Sequence, residues 1–218
     1  QGGLETSYIE RLITSVDRYK QDLALYPDTD GFNPSYITKL LDCYRCHADI
    51  LKVPNELFYE NQLRASADRF VTDSLLHWDG LVSPKFPLIF CGIQGKCERE
   101  GSDPSFFNIS EIEKVLYYIK TLVQEKKAAP SEIGVITPYR KHAAKIQKAM
   151  SILKGNYEEV LVGTCEKLQG QERKVIIITT VRSSTEYLES DQHFDIGFVK
   201  HPKRFNVAIT RAKALLIT

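Results

Sequence analysis

The 218-residue sequence has no excess of either charge and no long hydrophobic run. Lys and Arg number 29 and Asp and Glu number 28. Bulk charge therefore cannot explain binding to a polyanion, and nucleic acid would have to be met by a local groove. No apolar run approaches the roughly 20 residues that span a bilayer, and residues 1–5 are too polar for a signal peptide. We expect a globular chain with no membrane segment.

Cysteine is present in an odd number, five. In a chain of ordinary size this indicates reduced thiols in a cytosolic protein and not a disulfide framework. The sequence also has no internal repeat and no low-complexity segment. With 43% hydrophobic residues it can bury a sizeable core.

Residues 1–78 have the apolar spacing of helices. The pattern predicts helices over residues 7–16, 35–41 and 48–59. Within the third, Pro54 is expected to start a new helix or to kink the existing one.

From residue 87 onward, short apolar runs alternate with helical segments. Strands are predicted at residues 87–93, 133–137, 160–163, 175–181 and 214–217. Helices are predicted at residues 108–123, 139–153 and 204–213, with Asn108 as an N-cap three residues before Glu111. This alternation predicts an α/β fold with a mainly parallel sheet flanked by helices. Ligands are expected beyond the carboxyl ends of the strands.

Residues 204–213, with the sequence R-F-N-V-A-I-T-R-A-K, carry two arginines. On a helix, Arg204 and Arg211 would lie on one face about two turns apart. Arginine suits forked recognition of phosphate. The alternative is an ordinary amphipathic helix whose arginines are solvated.

Residues 43–47 match C-x-x-C-H, which is a pattern of haem attachment and contains a redox dithiol spacing. Haem attachment is disfavoured because no signal peptide is visible and Met150 is the sole methionine. A redox site is disfavoured because the motif is predicted to lie between two helical stretches and not at a strand-to-helix turn.

Residues 92–96, G-I-Q-G-K, resemble a shortened phosphate loop. A working loop needs four residues between its glycines and a hydroxyl after the lysine, whereas Cys97 follows here. We interpret this segment as a surface turn.

Two polar loops follow predicted strands. In residues 163–172, Gly170 permits close backbone approach to a ligand and Glu172 can accept hydrogen bonds from ribose hydroxyls. In residues 137–141 the amides and the hydroxyl of Thr137 can hold a phosphate at a helix start. The alternatives are a polar turn for the first loop, and for the second a helix start with Pro138 at its first position.

Four motifs occur together in a defined order: L-x-x-x-Y-R-x-H at residues 40–47, G-V-I-T-P-Y-R-K at 134–141, Q-G-Q-E at 169–172, and the stretch at 204–213. In this order the sequence resembles the second RecA-like domain of superfamily 1 RNA helicases, in the branch of the nonsense-mediated-decay helicase. Residues 98–108 resemble a loop of the Armitage and Moloney leukaemia virus 10 group. The resemblance covers the whole chain.

The resemblance implies a RecA-like three-layer sandwich, the second domain of a P-loop NTPase-type helicase, over residues 1–218. Residues 1–78 would be a helical lead-in and residues 87–218 the sheet core. Two departures from the family pattern stand out: Cys46 replaces a usual Ser, and Leu168 replaces a frequent Phe.

The resemblance also implies residue roles in binding ATP with Mg²⁺. Tyr44 would stack on the adenine, Arg45 would reach the γ-phosphate, and Arg211 would be the arginine finger. Gly170 and Glu172 would contact the ribose or the nucleotide edge. No residue of this chain would hold the metal, which would belong to the first RecA-like domain of the same protein.

Single-stranded RNA is the other implied ligand. Its track would include Thr137, Tyr139, Arg140, Thr164 and Arg182. Arg204 would support Arg211 by packing or by pairing with an acid.

The implied function is the C-terminal half of a cytoplasmic, ATP-dependent, 5′-to-3′ RNA helicase that translocates on and unwinds RNA. Small-RNA silencing of the piRNA type or RNA decay is the expected pathway, with proteins of those pathways as partners and ribonucleoprotein granules as a candidate compartment. Walker-type motifs are absent from these residues, so the chain is expected to be a fragment without ATPase activity of its own. The alternative is a non-catalytic RNA-binding or protein-interaction module on the same scaffold.

Overall fold

The computed structural model describes residues 6–101, 105–182 and 202–218. The chain divides into two compact units, Gln1–Leu41 and Asp42–Thr218. No described helix is both long enough and apolar enough to cross a membrane.

In the described part of the first unit there is one α-helix, α1 (Tyr8–Ser15), whose first turn is capped by the hydroxyl of Ser7. Two 3₁₀ turns follow, at Asp17–Tyr19 and Pro27–Thr29. The helix predicted over residues 35–41 is wrong, because no helix forms there. Its apolar residues gain no buried face, since Leu40 is 87% exposed, and short helices depend on such burial.

The second unit is built on a five-stranded sheet. Its elements in chain order are β1 (Asp42–Cys43), α2 (Ala48–Phe58), β2 (Arg64–Ala65), α3 (Arg69–Thr72), β3 (Leu88–Ile89), β4 (Glu98–Arg99), β5 (Phe106–Phe107), α4 (Ile109–Gln124), β6 (Ile133–Ile136), α5 (Arg140–Ile152), β7 (Leu161–Gly163), β8 (Arg173–Ile178), α6 (Pro202–Ile209) and β9 (Ala212–Ile217). Short 3₁₀ turns lie at Pro130–Glu132 and Tyr157–Glu159.

The large sheet has the strand order β3-β9-β8-β6-β7, and every pair in it is parallel. The predicted parallel α/β fold is therefore confirmed. Strands β1 and β2 form a separate parallel pair, and β4 and β5 form an antiparallel hairpin. Strand β3 is shorter than predicted: it spans Leu88–Ile89, whereas the prediction was residues 87–93.

Alternate residues of the central strands face opposite layers, which makes the unit a three-layer sandwich. Val175 and Ile177 belong to the same core cluster as the apolar faces of α4 and α5. Ile176 and Ile178 belong to the other cluster, with Ile50 and Leu51 of α2 and with Ala208 and Ile209 of α6. Because both faces are covered, β8 carries an almost continuous apolar run.

Helix α2 runs through Pro54 without interruption, so the predicted start of a new helix at this residue is wrong, and the alternative, a kink, stays a prediction. Pro54 is buried on the same helix as Ile50 and Leu51, and burial of this apolar face offsets the backbone hydrogen bond that proline cannot donate. Helix α4 begins as predicted: the side chain of Asn108 accepts a hydrogen bond from the backbone N–H of Glu111.

The helix predicted over residues 204–213 ends at Ile209. The Thr210 hydroxyl donates to the carbonyl of Asn206, and Arg211 Nε donates to that of Val207, so polar side chains satisfy the last turn. Ala212 then starts β9. Arg204 and Arg211 therefore do not share one helical face, and the predicted two-arginine face is wrong.

Candidate functional site

Three of the residues predicted to bind nucleotide meet at the amino edge of the sheet. Glu172 directly precedes β8, Arg211 directly precedes β9, and Arg45 lies in the bend after β1. These residues therefore do not lie at the carboxyl ends of the strands, where a ligand is expected, and the position of the ligand itself stays a prediction. Their position follows from the chain path, because the loops that enter β8 and β9 carry them.

Glu172 is the centre of this cluster. Its Oε2 accepts a hydrogen bond of 2.6 Å from Arg45 Nε, and its Oε1 lies 3.0 Å from Lys213 Nζ. These hydrogen bonds, from Arg45 first and then from Lys213, hold the pKa of the Glu172 carboxyl below its usual value. Both oxygens serve to position cations, and the ribose contact of Glu172 stays a prediction.

Arg45 is anchored at a second point, because its Nη1 donates to the backbone carbonyl of Thr210 at 3.3 Å. Burial acts to lower the pKa of the guanidinium, but the hydrogen bond and charge of Glu172 outweigh it and raise the pKa. Arg45 is thus a charged, oriented group with 31% of its side chain exposed.

Arg211 lies close enough to Arg45 for their charges to interact. Burial, and next the charge of Arg45, lower the pKa of Arg211. Its Nε donates to the Val207 carbonyl at 2.9 Å and its Nη1 to the Gln171 carbonyl at 3.4 Å. Two guanidinium groups held near each other by backbone carbonyls form a site suited to an anion with several oxygens, such as a polyphosphate.

Gly170 and Tyr44 border this cluster in sequence. Gly170 has φ +75°, a left-handed conformation that favours glycine, and a Cβ added there would meet nothing within 4 Å. The open space matches the predicted close approach of a ligand. Tyr44 is 76% exposed, which leaves its ring available for stacking.

The C-x-x-C segment lies in a different setting from the one predicted. Cys43 ends β1, and Cys46 lies two residues before α2. The motif is therefore at a strand-to-helix connection, and its predicted place between two helices is wrong. The cause is the local pairing of Asp42 and Cys43 with Arg64 and Ala65, which replaces the expected helix.

The residues predicted to contact RNA lie at the opposite, carboxyl edge. Thr137 follows β6, Thr164 follows β7, and Arg182 lies four residues beyond β8. Tyr139 and Arg140 are at the start of α5, which returns from the same edge. The structure thus separates the two predicted sets of residues on the two edges of one sheet.

Arg182 is held by aromatic side chains at this edge. Its guanidinium carbon lies 4.0 Å from the ring centroid of Phe106, and its Nε donates to the Tyr139 hydroxyl at 3.0 Å. The two rings pack edge to face at 5.7 Å. Phe106 belongs to the β4–β5 hairpin, so this hairpin fixes the direction of Arg182. Residues 102–104 of the predicted group-specific loop lie outside the described residues.

Thr137 is 0% exposed, and its buried Oγ1 has no hydrogen-bond partner. Next to it in the sheet, Thr179 belongs to a buried polar network: His142 Nε2 lies 3.0 Å from Thr179 Oγ1, which donates to Glu111. Burial lowers the pKa of His142 to about 4, so the ring is neutral near pH 7. This network ties the starts of α4 and α5 to the end of β8.

Arg204 pairs with an acid, but its predicted support of Arg211 stays a prediction. Its Nε lies 3.2 Å from Glu166 Oε1. The Glu166 carboxyl is also hydrogen-bonded by Thr164, and its pKa is below the usual value although burial opposes that shift. Arg140 is exposed nearby and adds its charge to the same region.

The described residues contain no group of three or more His, Cys, Asp or Glu that could hold a metal ion. Segment 92–96 is followed by β4 and not by a helix, so the strand-loop-helix setting of a phosphate loop is absent from this part of the described chain.

Comparison with known proteins identifies the family. A family model described as an AAA domain matches residues 5–218. The chain is 50% identical over 226 residues to mov-10-B.1 of Danio rerio, which covers 99% of this chain and 22% of that protein. It is 45% identical to RNA helicase Mov10l1 of Homo sapiens, over 99% of this chain and 18% of that protein. With armi of Drosophila melanogaster the identity is 34%, over 99% of the chain and 18% of armi.

The chain belongs to the AAA-domain family of superfamily 1 helicases, in the Mov10 and Armitage group. The resemblance predicted from the four motifs is confirmed. The helicase domain described here spans about a fifth of the length of these relatives.

The sequence did not reveal two side chains of this helicase domain that hold predicted site residues in position. Lys213 lies in the 204–213 motif, but its pairing with Glu172 follows from the strand conformation of β9 and not from a helix. Phe106 was noticed only as part of a group-specific loop. An aromatic pair at Phe106 and Phe107 next to a helix N-cap could have signalled a packed hairpin.

Proposed function

We propose that this domain supplies half of a composite ATP site, which the first RecA-like domain of the same protein completes. The observation that carries the proposal is the convergence of Arg45, Glu172 and Arg211 at the amino edge of β8 and β9. The described residues offer two oriented guanidinium groups but no metal-ligand cluster. We assign the Mg²⁺ that accompanies ATP to the other domain.

Each residue of the cluster has a separate task in this proposal. Arg211 stabilises charge on the phosphoryl group during transfer, and Arg45 binds the γ-phosphate. Glu172 holds Arg45 in position, and its second oxygen holds Lys213. The exposed ring of Tyr44 stacks on the adenine, while Gly170 lets the nucleotide approach the backbone.

The carboxyl edge provides the RNA track. Arg182, fixed by Phe106 and Tyr139, and the exposed Arg140 contribute charge for the phosphates. Thr164 contributes a hydroxyl, and the start of α5, just after Thr137, contributes backbone N–H groups of its first turn. Closure around ATP at one edge and reopening after hydrolysis would move the RNA-binding edge along a single strand.

With the ATP half-site and the RNA track together, the whole protein is, in our proposal, an ATP-dependent RNA helicase that moves 5′ to 3′. The isolated domain lacks ATPase activity. The names of Mov10l1 and armi, both called RNA helicases, support an RNA substrate. We further propose that the protein works in small-RNA silencing or RNA decay. We place it in the cytoplasm, in contact with proteins of that pathway.

The test is RNA-stimulated ATP hydrolysis by the full-length protein with Arg211→Ala. An arginine finger contributes a factor of about 10³ to 10⁵ in rate, so turnover should fall by at least about 10³ while ATP binding stays within a few-fold of wild type. Arg204→Ala is the matched control, because Arg204 pairs with Glu166 at the other end of α6. Normal turnover of Arg211→Ala would instead favour a non-catalytic RNA-binding module.

A further inference from the structure

Cys43 and Cys46 form a pair of thiols beside Arg45. Cys43 ends β1 and is partly exposed, whereas Cys46 is 1% exposed. The two sulfurs lie three positions apart in the bend between β1 and α2, close enough for each thiol to affect the pKa of the other. An accessible sulfur and a buried one in a C-x-x-C bend between a strand and a helix are the arrangement of an attacking and a resolving cysteine.

The pKa values of the two thiols favour Cys43 as the attacking sulfur. The hydrogen bond from Cys46, which outweighs burial, together with the backbone N–H groups lowers the pKa of Cys43 to about 5. The same contact raises the pKa of Cys46. Cys46 Sγ can also donate to the Thr210 carbonyl, at 3.5 Å, so its one proton is shared between two acceptors.

We propose that Cys43 and Cys46 are a reversible dithiol–disulfide site that reacts with low-molecular-weight disulfides such as oxidised glutathione. The Cys43 thiolate attacks a sulfur of the disulfide, forms a mixed disulfide and releases one glutathione thiolate. Cys46 then loses its proton and attacks the Cys43 sulfur, which forms the internal disulfide and releases the second glutathione thiolate. The protein loses two electrons and the small disulfide gains them.

The disulfide would reach the nucleotide cluster through shared contacts. Arg45 lies between the two cysteines, and both Arg45 Nη1 and Cys46 Sγ donate to the Thr210 carbonyl. Oxidation removes the S–H of Cys46 and fixes the two sulfurs about 2.05 Å apart, so the bend that presents Arg45 must change. This consequence, unlike the disulfide itself, rests on the proposed function of Arg45.

The chemical test is peptide mapping of the full-length protein after exposure to oxidised glutathione. Trypsin cleaves after Lys39, Arg45 and Lys52, so Cys43 and Cys46 fall in different peptides, residues 40–45 and 46–52. We expect these two peptides to appear as one linked species about 2 Da lighter than their sum, and to separate after dithiothreitol. Residues 40–45 found only as a free thiol or only as a glutathione adduct would overturn the proposal.

Two variants separate the roles of the sulfurs. Cys46→Ser should trap the mixed disulfide on residues 40–45, because the resolving thiol is missing. Cys43→Ser should leave residues 46–52 unmodified, because Cys46 is buried. Equal glutathione adducts on both variants would contradict the assigned order of attack.

A second measurement addresses the coupling to nucleotide. ATP affinity of the oxidised protein should weaken by about tenfold, as expected for loss of one charge-assisted hydrogen bond, and recover on reduction. Formation of the linked peptides with unchanged ATP affinity would keep the redox site and refute the role of Arg45 in ATP binding.

Discussion

Arg45 Nε donates to Glu172 Oε2 at 2.6 Å, across 127 positions of the sequence. The bond joins the bend after β1 to the loop before β8, and Lys213 binds the other oxygen of the same carboxylate. One acid therefore sets the position of two cations from two other parts of the chain.

Glu172→Gln should release both cations while keeping the shape of the side chain. We expect ATP affinity to fall about tenfold, the effect of one charge-assisted hydrogen bond. The free energy of unfolding should change by less than about 1 kcal/mol, because the pair is solvent-accessible. Nucleotide titration and urea unfolding measure the two effects. Glu166→Gln, which breaks the pair with Arg204, is the control and should leave ATP affinity unchanged.

Phe106→Ala should weaken RNA binding without weakening ATP binding. The ring of Phe106 lies 4.0 Å from the Arg182 guanidinium, so its loss frees Arg182 to adopt other rotamers. Phe107→Ala is the matched control: Phe107 is equally buried, but its ring contacts Lys145. We expect similar losses of stability in the two variants and a lower RNA affinity in Phe106→Ala. Equal RNA affinities would show that the hairpin does not position Arg182.

The stability of the sheet unit should fall as the pH falls from about 6.5 to about 4. Burial lowers the pKa of His142 to about 4, so in this window the unfolded chain binds a proton that the folded chain does not. The free energy of unfolding should fall by about 3 kcal/mol between these two pH values, and the contribution of His142 should not change further below about pH 4. Glu172 contributes in a lower window, because its depressed pKa gives stability above about 4.5 that is lost as the pH falls further.

Urea unfolding of wild type and His142→Asn at pH 7.5 and 5 measures this effect. The variant should be less stable at pH 7.5 but should lose much less stability between the two pH values. A parallel loss in both proteins would show that another group titrates.

RNA affinity should decrease as salt increases, because phosphate contacts release counterions. Arg140→Ala should lower the slope of log affinity against log salt by about 1 and weaken binding equally for different RNA sequences. Equilibrium titrations at several salt concentrations measure the slope. An unchanged slope would remove Arg140 from the phosphate track.

Local patterns in the sequence predicted most of the sheet core. The apolar run that contains Val175 and Ile177 identified β8 because burial on both faces leaves no polar alternation. The Asn108 cap was predictable because it depends on residues three positions apart. The helix predicted over residues 35–41 was wrong because helical spacing is a local pattern, whereas burial of that face requires a packing partner, which the described residues do not provide.

The candidate site could be predicted in its residues but not in its geometry. The motifs named Arg45, Glu172 and Arg211, yet the edge of the sheet on which they meet depends on chain direction in β8 and β9. The end of α6 at Ile209 depends on hydrogen bonds that the side chains of Thr210 and Arg211 donate to backbone carbonyls of the last turn, and helical spacing does not contain that information.

Single-turnover hydrolysis of pre-bound ATP by full-length Arg211→Lys tests the composite site most directly. Lysine keeps the charge but lacks the planar guanidinium group, which two backbone carbonyls hold in place in Arg211. We predict a hydrolysis rate at least about 10³-fold below wild type with ATP affinity nearly unchanged. A rate within a few-fold of wild type would contradict the assignment of Arg211 as the arginine finger.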